Sequence, residues 1–320
     1  MAIYKGDKKV IALYKGDKKI IKRYKGTQVI FDSTSNVADN CDGNTISFEF
    51  TGSSLTYNLD RALITAKKID ATTSPYTTTL RDLGFSRLYP YNMFYDCDNL
   101  TSVSCLPNME TAVNSDSMFS YCSGLTSLDI NDWVFKPTTC GSMFGNCTGL
   151  TSVTTNSWDM SECTNISYMF NGCVSLSSIK NIKKWNVGKV TSMSYMFNNC
   201  KTLTSLDLSK WNTSSATNLG NIFKYCSGLI EINLSGWNIS KVTNLQATFD
   251  GCTNLQTLNL TGWGKPNIST PTYYNNLFKN CTSLNKLILG NVTQETYDWW
   301  YARLNQFSLQ NQVTIEYTIV

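Results

Sequence analysis

The sequence predicts an α/β repeat: a solenoid of about eight turns, each 25–29 residues long, preceded by a small arm of β-strands and hairpins. Three observations carry this reading. A phenylalanine followed three residues later by a cysteine recurs as Phe94/Cys97, Phe119/Cys122, Phe144/Cys147, Phe170/Cys173, Phe197/Cys200, Phe223/Cys226, Phe249/Cys252 and Phe278/Cys281, in steps of 25, 25, 26, 27, 26, 26 and 29 residues. Within each unit the apolar spacing changes from a helical to a strand period. Finally, a different repeat occupies the start of the chain: YKGDKKV, YKGDKKI and YKGTQVI, with Tyr4, Tyr14 and Tyr24 ten residues apart.

The arm comes first. Residues 1–31 hold nine Lys or Arg against two Asp, a net of +7, and leave the other residues with 18 basic against 21 acidic side chains. Each unit sets Lys-Gly-Asp-Lys between β-formers, and Gly-Asp is a hairpin-turn signal. The stretch KVIALY is apolar on both strand faces. A meander of about thirty residues cannot bury two faces alone. The arm is therefore expected to dock against another protein or further copies of itself, through Tyr4, Gly6, Ile11, Leu13, Tyr14, Gly16, Ile21, Tyr24 and Gly26. Lysine outnumbers arginine eight to one in the arm, and no nucleic-acid module fits, so nucleic acid is not an expected partner. Residues 32–45, DSTSNVADNCDGNT, read as a polar linker. Residues 46–90 read as an N-terminal cap, with TISFEF (Thr45 to Phe50) as a short strand and a helix expected within 51–90.

In the solenoid, residues 91–290, two periods meet. In VTSMSYMFNNC, Met193, Met196, Phe197 and Cys200 fall at i, i+3, i+4 and i+7, the apolar stripe of a two-turn helix. In LTSLDL, Leu206 and Leu208 alternate with Asp207, as in a strand with one buried face. Helix on one side and strand on the other, at about 26 residues per turn, is the leucine-rich-repeat solenoid. The best copies add a tryptophan, and Trp133, Trp158, Trp185, Trp211, Trp237 and Trp263 read as a stacked core column. Residues 291–320 read as a C-terminal cap, with a helix over Thr293 to Phe307 and a last strand, VTIEYTIV, covering the open edge.

These units resemble the BspA-type leucine-rich repeats of bacterial surface proteins, whose turns look like VTNMxxMFxxCxxLxSLDLSxWN. The resemblance covers residues 90–290 and is closest from Val190 to Trp263. The first copies depart from it, with Pro90 and Ser115 at an apolar position, and the fourth copy carries one extra residue before Trp185. The family implies surface attachment and contacts with protein or glycan, and no defined chemistry. The YKGDKK runs resemble those at the start of structural and appendage proteins of phages that infect gut Bacteroidales, including crAss-like phages. That second resemblance implies a virion protein made in the host cytoplasm.

Composition narrows the chemistry. The chain has no histidine, which removes Ser-His and Cys-His nucleophile pairs and the commonest metal ligand. No catalytic residue, metal or cofactor is expected. The twelve cysteines include no CxxC pair, so zinc is not indicated. The eight repeat cysteines are expected to be a buried ladder of free thiols, with Cys41, Cys105, Cys140 and Cys163 filling gaps outside it. No stretch approaches the eighteen or so apolar residues of a membrane span. The charged start, MAIYKGDKK, lacks the apolar core of a signal peptide, so synthesis in a cytoplasm is expected.

Two surfaces offer contacts. The outward strand positions form one column from Ser102 to Lys286 and a second that includes Asp129, Asp207, Asn233 and Asn259. Asp129 and Asp207 lie three repeats apart, about 14 Å at strand spacing, too far for a carboxylate pair. Tyr95, Tyr121, Tyr168, Tyr195, Tyr225, Tyr273 and Tyr274 gather around the segments read as helical. Since Met and Phe already fill the buried stripe there, Tyr168, Tyr195 and Tyr225 are expected to present a binding face. The function expected is a non-enzymatic virion structural or appendage protein: a head or tail fibre, or a decoration protein. It would be held to other virion proteins by residues 1–31 and would display the solenoid to a host-surface protein or glycan, with a homotrimer as one assembly. The alternative is a bacterial cell-surface adhesin or protein-interaction scaffold.

Overall fold

In a computed structural model of the chain, the described residues are 90–320 without 106–108, 130–134 and 157 (side chains at 104–105, 109–112 and 129 also excepted), plus the backbone of eight strands nearer the N-terminus. The first four strands, β1 (Ala2–Lys5), β2 (Lys8–Lys15), β3 (Lys18–Lys25) and β4 (Gln28–Ile30), pair antiparallel in sequence order. Tyr4, Ile11, Leu13, Tyr14, Ile21 and Tyr24 lie on these strands, and Tyr4 and Tyr24 both face Lys9 in register. Gly6, Gly16 and Gly26 lie outside the described residues.

Strands also fill the described part of 46–90: β5 (Thr45–Phe50), β6 (Ser54–Tyr57), β7 (Lys67–Asp70) and β8 (Tyr76–Thr79). The helix expected in that stretch could fall only between them, outside the described residues. β5 pairs antiparallel with β8 on one edge and with β9 (Leu100–Cys105) of the first coil on the other.

From residue 90 the chain is a parallel β-solenoid of about eight turns with little helix. β10 (Met109–Asn114) pairs in parallel with β12 (Phe135–Thr139). Three-residue strands form the main face. β11 (Ser127–Asp129), β13 (Ser152–Thr154) and β14 (Ser178–Lys180) make one parallel sheet. β15 (Ser205–Asp207), β16 (Glu231–Asn233) and β17 (Thr257–Asn259) begin a second, which continues through β18 (Lys286–Val292) to β19 (Thr314–Ile319). In the three-residue strands from β13 onward the central residue is buried and its neighbours are not, as the alternating pattern requires.

The Met–Phe segments are not helices, which corrects the α/β expectation. In the coil around Phe197, the amides of Met196, Asn198 and Cys200 donate to the carbonyls of Met193, Tyr195 and Phe197, three residues back. The alternating amides of Tyr195, Phe197 and Asn199 instead donate to Gly220, Ile222 and Lys224 of the next coil, at 3.0, 2.9 and 2.7 Å. A helix would send all of these amides back along its own chain. Here half of them stitch one coil to the next. The backbone device behind this is a left-handed residue two before and two after each phenylalanine, such as Tyr195 (φ 57°) and Asn199 (φ 63°). That pair recurs in all eight coils, from Asn92 and Asp96 to Asn276 and Asn280. Left-handed φ every four residues is incompatible with a continuous α-helix. The i, i+3, i+4, i+7 spacing survives because a string of tight turns buries the same positions.

The core consists of columns running along the solenoid axis. Phe94 to Phe278 stack ring on ring, with centroids 5.4–5.9 Å apart and ring planes within 11° of parallel. Each such pair adds about 0.5–1.5 kcal/mol beyond the burial of its area. On the opposite side Trp158, Trp185, Trp211, Trp237 and Trp263 stack at 5.5–6.0 Å. The indole N–H groups of Trp211, Trp237 and Trp263 each donate to a carbonyl of the preceding coil at 2.9–3.0 Å. The buried indole nitrogens of these three tryptophans are thus satisfied by the repeat itself.

A helix and a strand follow the last coil. Helix α1 (Gln294–Gln306) is capped by the Thr293 hydroxyl, which accepts from the Thr296 amide. It places Trp300 on the end of both aromatic columns, 5.9 Å from Trp263 and 6.3 Å from Phe278. β19 then covers the edge of β18.

Candidate functional site

The strand face is largely committed to the fold. Asp207, Asn233 and Asn259 stand in one register row, as expected. Each side chain turns back to accept the backbone amide two residues on: Ser209 at 3.1 Å, Ser235 at 3.1 Å and Thr261 at 3.0 Å. These are Asx turns that steer the chain off the strand. Asp207 also accepts the Ser209 hydroxyl at 2.7 Å. That hydroxyl first, and then the amide, holds its carboxyl below the usual value. Asp159 is held down in the same way by Ser161. Three members of the proposed strand-face surface are therefore turn formers, and the side chain of Asp129 lies outside the described residues.

The tyrosines stand at the corner where the coils cross over. Tyr168 and Tyr195 each sit two before their phenylalanine, Tyr121 and Tyr225 two after theirs, and all four have φ between 57° and 64°. Most residues at these positions are Asn, Ser, Asp or Gly, which tolerate left-handed φ. A bulky aromatic there works against the backbone by about 1 kcal/mol. The rings of Tyr168 and Tyr195 stack at 4.7 Å and 5°, with Tyr168 40% exposed. Burial first, and the neighbouring Tyr195 second, push the Tyr168 phenol up from its ordinary value, so it is a neutral hydroxyl at physiological pH. Tyr225 belongs to the other left-handed column. Its ring lies over Gly251 of the next coil, where an added Cβ would come within 2.5 Å of it. The Lys224 ammonium sits 4.9 Å from that ring's centroid and 3.7 Å from Asp250. Tyr95 and Tyr121 meet edge to face at 5.5 Å.

Amides surround this corner. Asn198 donates to Asn171 at 2.7 Å, one coil away and three residues past the two stacked tyrosines. The sequence held a signal for this: Asn171 and Asn198 both directly follow the repeat phenylalanine. Read as a helix, the segment gives the two amides no reason to meet across coils.

The repeat cysteines are chemically quiet. From Cys122 onward each thiol donates to the carbonyl of the phenylalanine one coil back, at 2.9–3.1 Å. Burial pushes the Cys147 and Cys226 thiols up to about 12, far from the thiolate form that nucleophiles and metal ligands need. The ten cysteines whose side chains are described are all buried and none is in a disulfide. Among the described residues no group of three or more Cys, Asp or Glu could hold a metal ion. No helix among them is long and apolar enough to cross a membrane.

Three overlapping segments of the chain, residues 90–179, 138–263 and 205–307, match the family described as "Mycoplasma protein of unknown function, DUF285". Together they reach from residue 90 to 307, well over half of the chain, and the chain belongs to that repeat family. The match and the solenoid are compatible with a BspA-type repeat. No curated protein matches the chain at a significant level.

Proposed function

We propose that the protein is a non-enzymatic display scaffold. In this reading residues 1–31 hold it to other proteins of a phage virion, and the solenoid, as a BspA-type leucine-rich repeat, carries a tyrosine-rich corner outward to a host-surface protein or glycan. One observation carries the binding part. Four tyrosines occupy left-handed positions where Asn or Gly would serve the fold better, and three of them, Tyr121, Tyr168 and Tyr225, are exposed. Strain kept at a surface, where the rings pack only on one another or along one side, is a mark of function. Rigid aromatic rings with nearby amides are also the usual chemistry of a recognition surface.

The attachment part rests on the tenfold spacing of the YKGDKK runs, on the net +7 of the arm and on the resemblance to phage appendage proteins. Mass spectrometry of purified virions from the source should find the protein. A version lacking residues 1–31 should keep a folded solenoid and be missing from virions, and its normal incorporation would refute the docking role. Replacing Tyr168 and Tyr195 with asparagine should lower adsorption of the particles to host cells while leaving the fold intact. Undiminished adsorption would sink the tyrosine corner.

The family description, which names a Mycoplasma protein, is the ground for a second reading, a bacterial cell-surface adhesin. It predicts that protease treatment of intact cells cleaves the protein and that virion preparations lack it.

A further inference from the structure

Two cysteines outside the ladder are placed unlike the others. Cys140 follows β12, and Cys163 lies one coil further on. Their sulfurs are 3.6 Å apart, and both side chains are fully buried. Where the ladder thiols from Cys122 onward are each directed at a phenylalanine carbonyl, the Cys140 sulfur faces another sulfur. The Cys163 thiol also lies 3.5 Å from the Asn165 carbonyl. The two coils are fixed around them. The Cys140 amide donates to the Asn165 carbonyl at 3.0 Å, the Thr164 amide to the Thr138 carbonyl at 2.9 Å, and Thr139 and Asn165 form a parallel bridge between these bonds. A disulfide needs its sulfurs at about 2.0 Å, so closure from 3.6 Å requires an approach of about 1.6 Å, within reach of side-chain rotation.

We propose that Cys140 and Cys163 are an oxidation site, closing to a disulfide that staples two adjacent coils when the protein meets a small peroxide. Burial pushes the Cys140 thiol up as it does the ladder thiols, so the pair is set apart by a second sulfur within reach of the first and not by easier ionisation. The ladder cysteines stay reduced under the same conditions. In the reaction with hydrogen peroxide, one sulfur attacks a peroxide oxygen: the S–O bond forms, the O–O bond breaks, and one water leaves. The second sulfur then displaces the hydroxyl from the sulfenic acid: the S–S bond forms, the S–O bond breaks, and a second water leaves. The two thiols together give up two protons and two electrons, and the peroxide ends as two waters. Full burial admits a small oxidant through local opening and excludes an oxidoreductase protein. The staple would act where the solenoid is least regular, just after the copies that carry Pro90 and Ser115 in place of apolar residues. It is independent of the display reading, because it is tested on the purified chain.

The folded full-length protein is exposed to hydrogen peroxide, blocked at free thiols and cleaved before aspartate. Cleavage before Asp132, Asp159 and Asp207 yields fragments 132–158 and 159–206. The expected result is that these two fragments stay joined without reductant, lighter by two hydrogens, with fragmentation placing the bond at Cys140 and Cys163. Cys163→Ala should release them, and Cys147→Ala, which removes the ladder thiol of the same fragment, should not. The oxidised wild type should melt about 5 °C above the reduced one, a shift missing in Cys163→Ala. A bond through Cys97, Cys122, Cys147 or Cys173, or no bond at all, would overturn the proposal. Mapping the bond in the wild type keeps the test valid even if a variant fails to fold.

Discussion

The phenylalanine side and the tryptophan side of the solenoid obey different rules. From each phenylalanine to the strand residue nine positions later, no coil gains or loses a residue: Phe94 to Val103 and Phe278 to Leu287 are the same distance in sequence. All extra residues fall on the tryptophan side. One sits at Asn181, a left-handed residue leading into a single 3-10 turn, Ile182–Lys184. Others extend the stretch after Trp263, where Gly264 has open space around it. The difference follows from where backbone amides go. On the phenylalanine side alternate amides bond forward to the next coil and the rest bond back within a turn, so one inserted residue would mispair all that follow. On the tryptophan side the ring stack can hold while the chain between rings bulges outward. Sequence regularity in this solenoid is therefore a map of hydrogen-bond obligation.

Insertions break this comparison most directly. One glycine inserted between Phe197 and Asn198 should abolish cooperative unfolding in circular dichroism. The same insertion after Gly264 should lower stability by no more than about 1 kcal/mol. Equal losses at both sites would refute the asymmetry. Next in size is Phe197→Ala, which opens a cavity in the unbroken column and should cost about 3–5 kcal/mol in denaturant unfolding.

The thiol ladder gives a pH test of the phenylalanine side. In the folded state the Cys147 and Cys226 thiols are pushed up to about 12 from 9.0. A raised thiol binds its proton more tightly folded than unfolded. Its contribution is thus complete below the ordinary value and lost as pH rises toward the folded one, by at most about 1.4 kcal/mol per thiol per pH unit. Denaturation midpoints should fall between pH 9 and 11, and Cys147→Ala with Cys226→Ala should flatten that fall. The smallest effect is expected at the corner. Tyr168→Asn should leave stability unchanged or raise it by about 0.5–1 kcal/mol, since asparagine accepts left-handed φ more readily. A loss above 2 kcal/mol would mean that the Tyr168–Tyr195 stack serves the fold.

Much of this was legible in advance, for a particular reason. A solenoid is nearly one-dimensional, so residues that stack in space recur at one sequence period. Phe197, Cys200, Leu203, Leu206 and Trp211 could be assigned to buried columns from spacing alone, and α1 and β19 from their own periodicity and place at the end of the array. Turn chemistry was harder to see. Asp207, Asn233 and Asn259 look like an open polar row on a strand until their side chains are seen to accept amides two residues ahead. Nothing in their spacing separates a turn former from a ligand.

The sequence by itself determined the repeat, its length and the residues that face inward. The tertiary structure alone decided that the Met–Phe segments are turns and not helices. Apolar positions at i, i+3, i+4 and i+7 satisfy both forms equally, and an amide three residues from one carbonyl can still choose a partner in the next coil. That choice depends on a neighbour about 26 residues away, and on left-handed φ at Tyr195 and Asn199 that no single copy of the repeat announces.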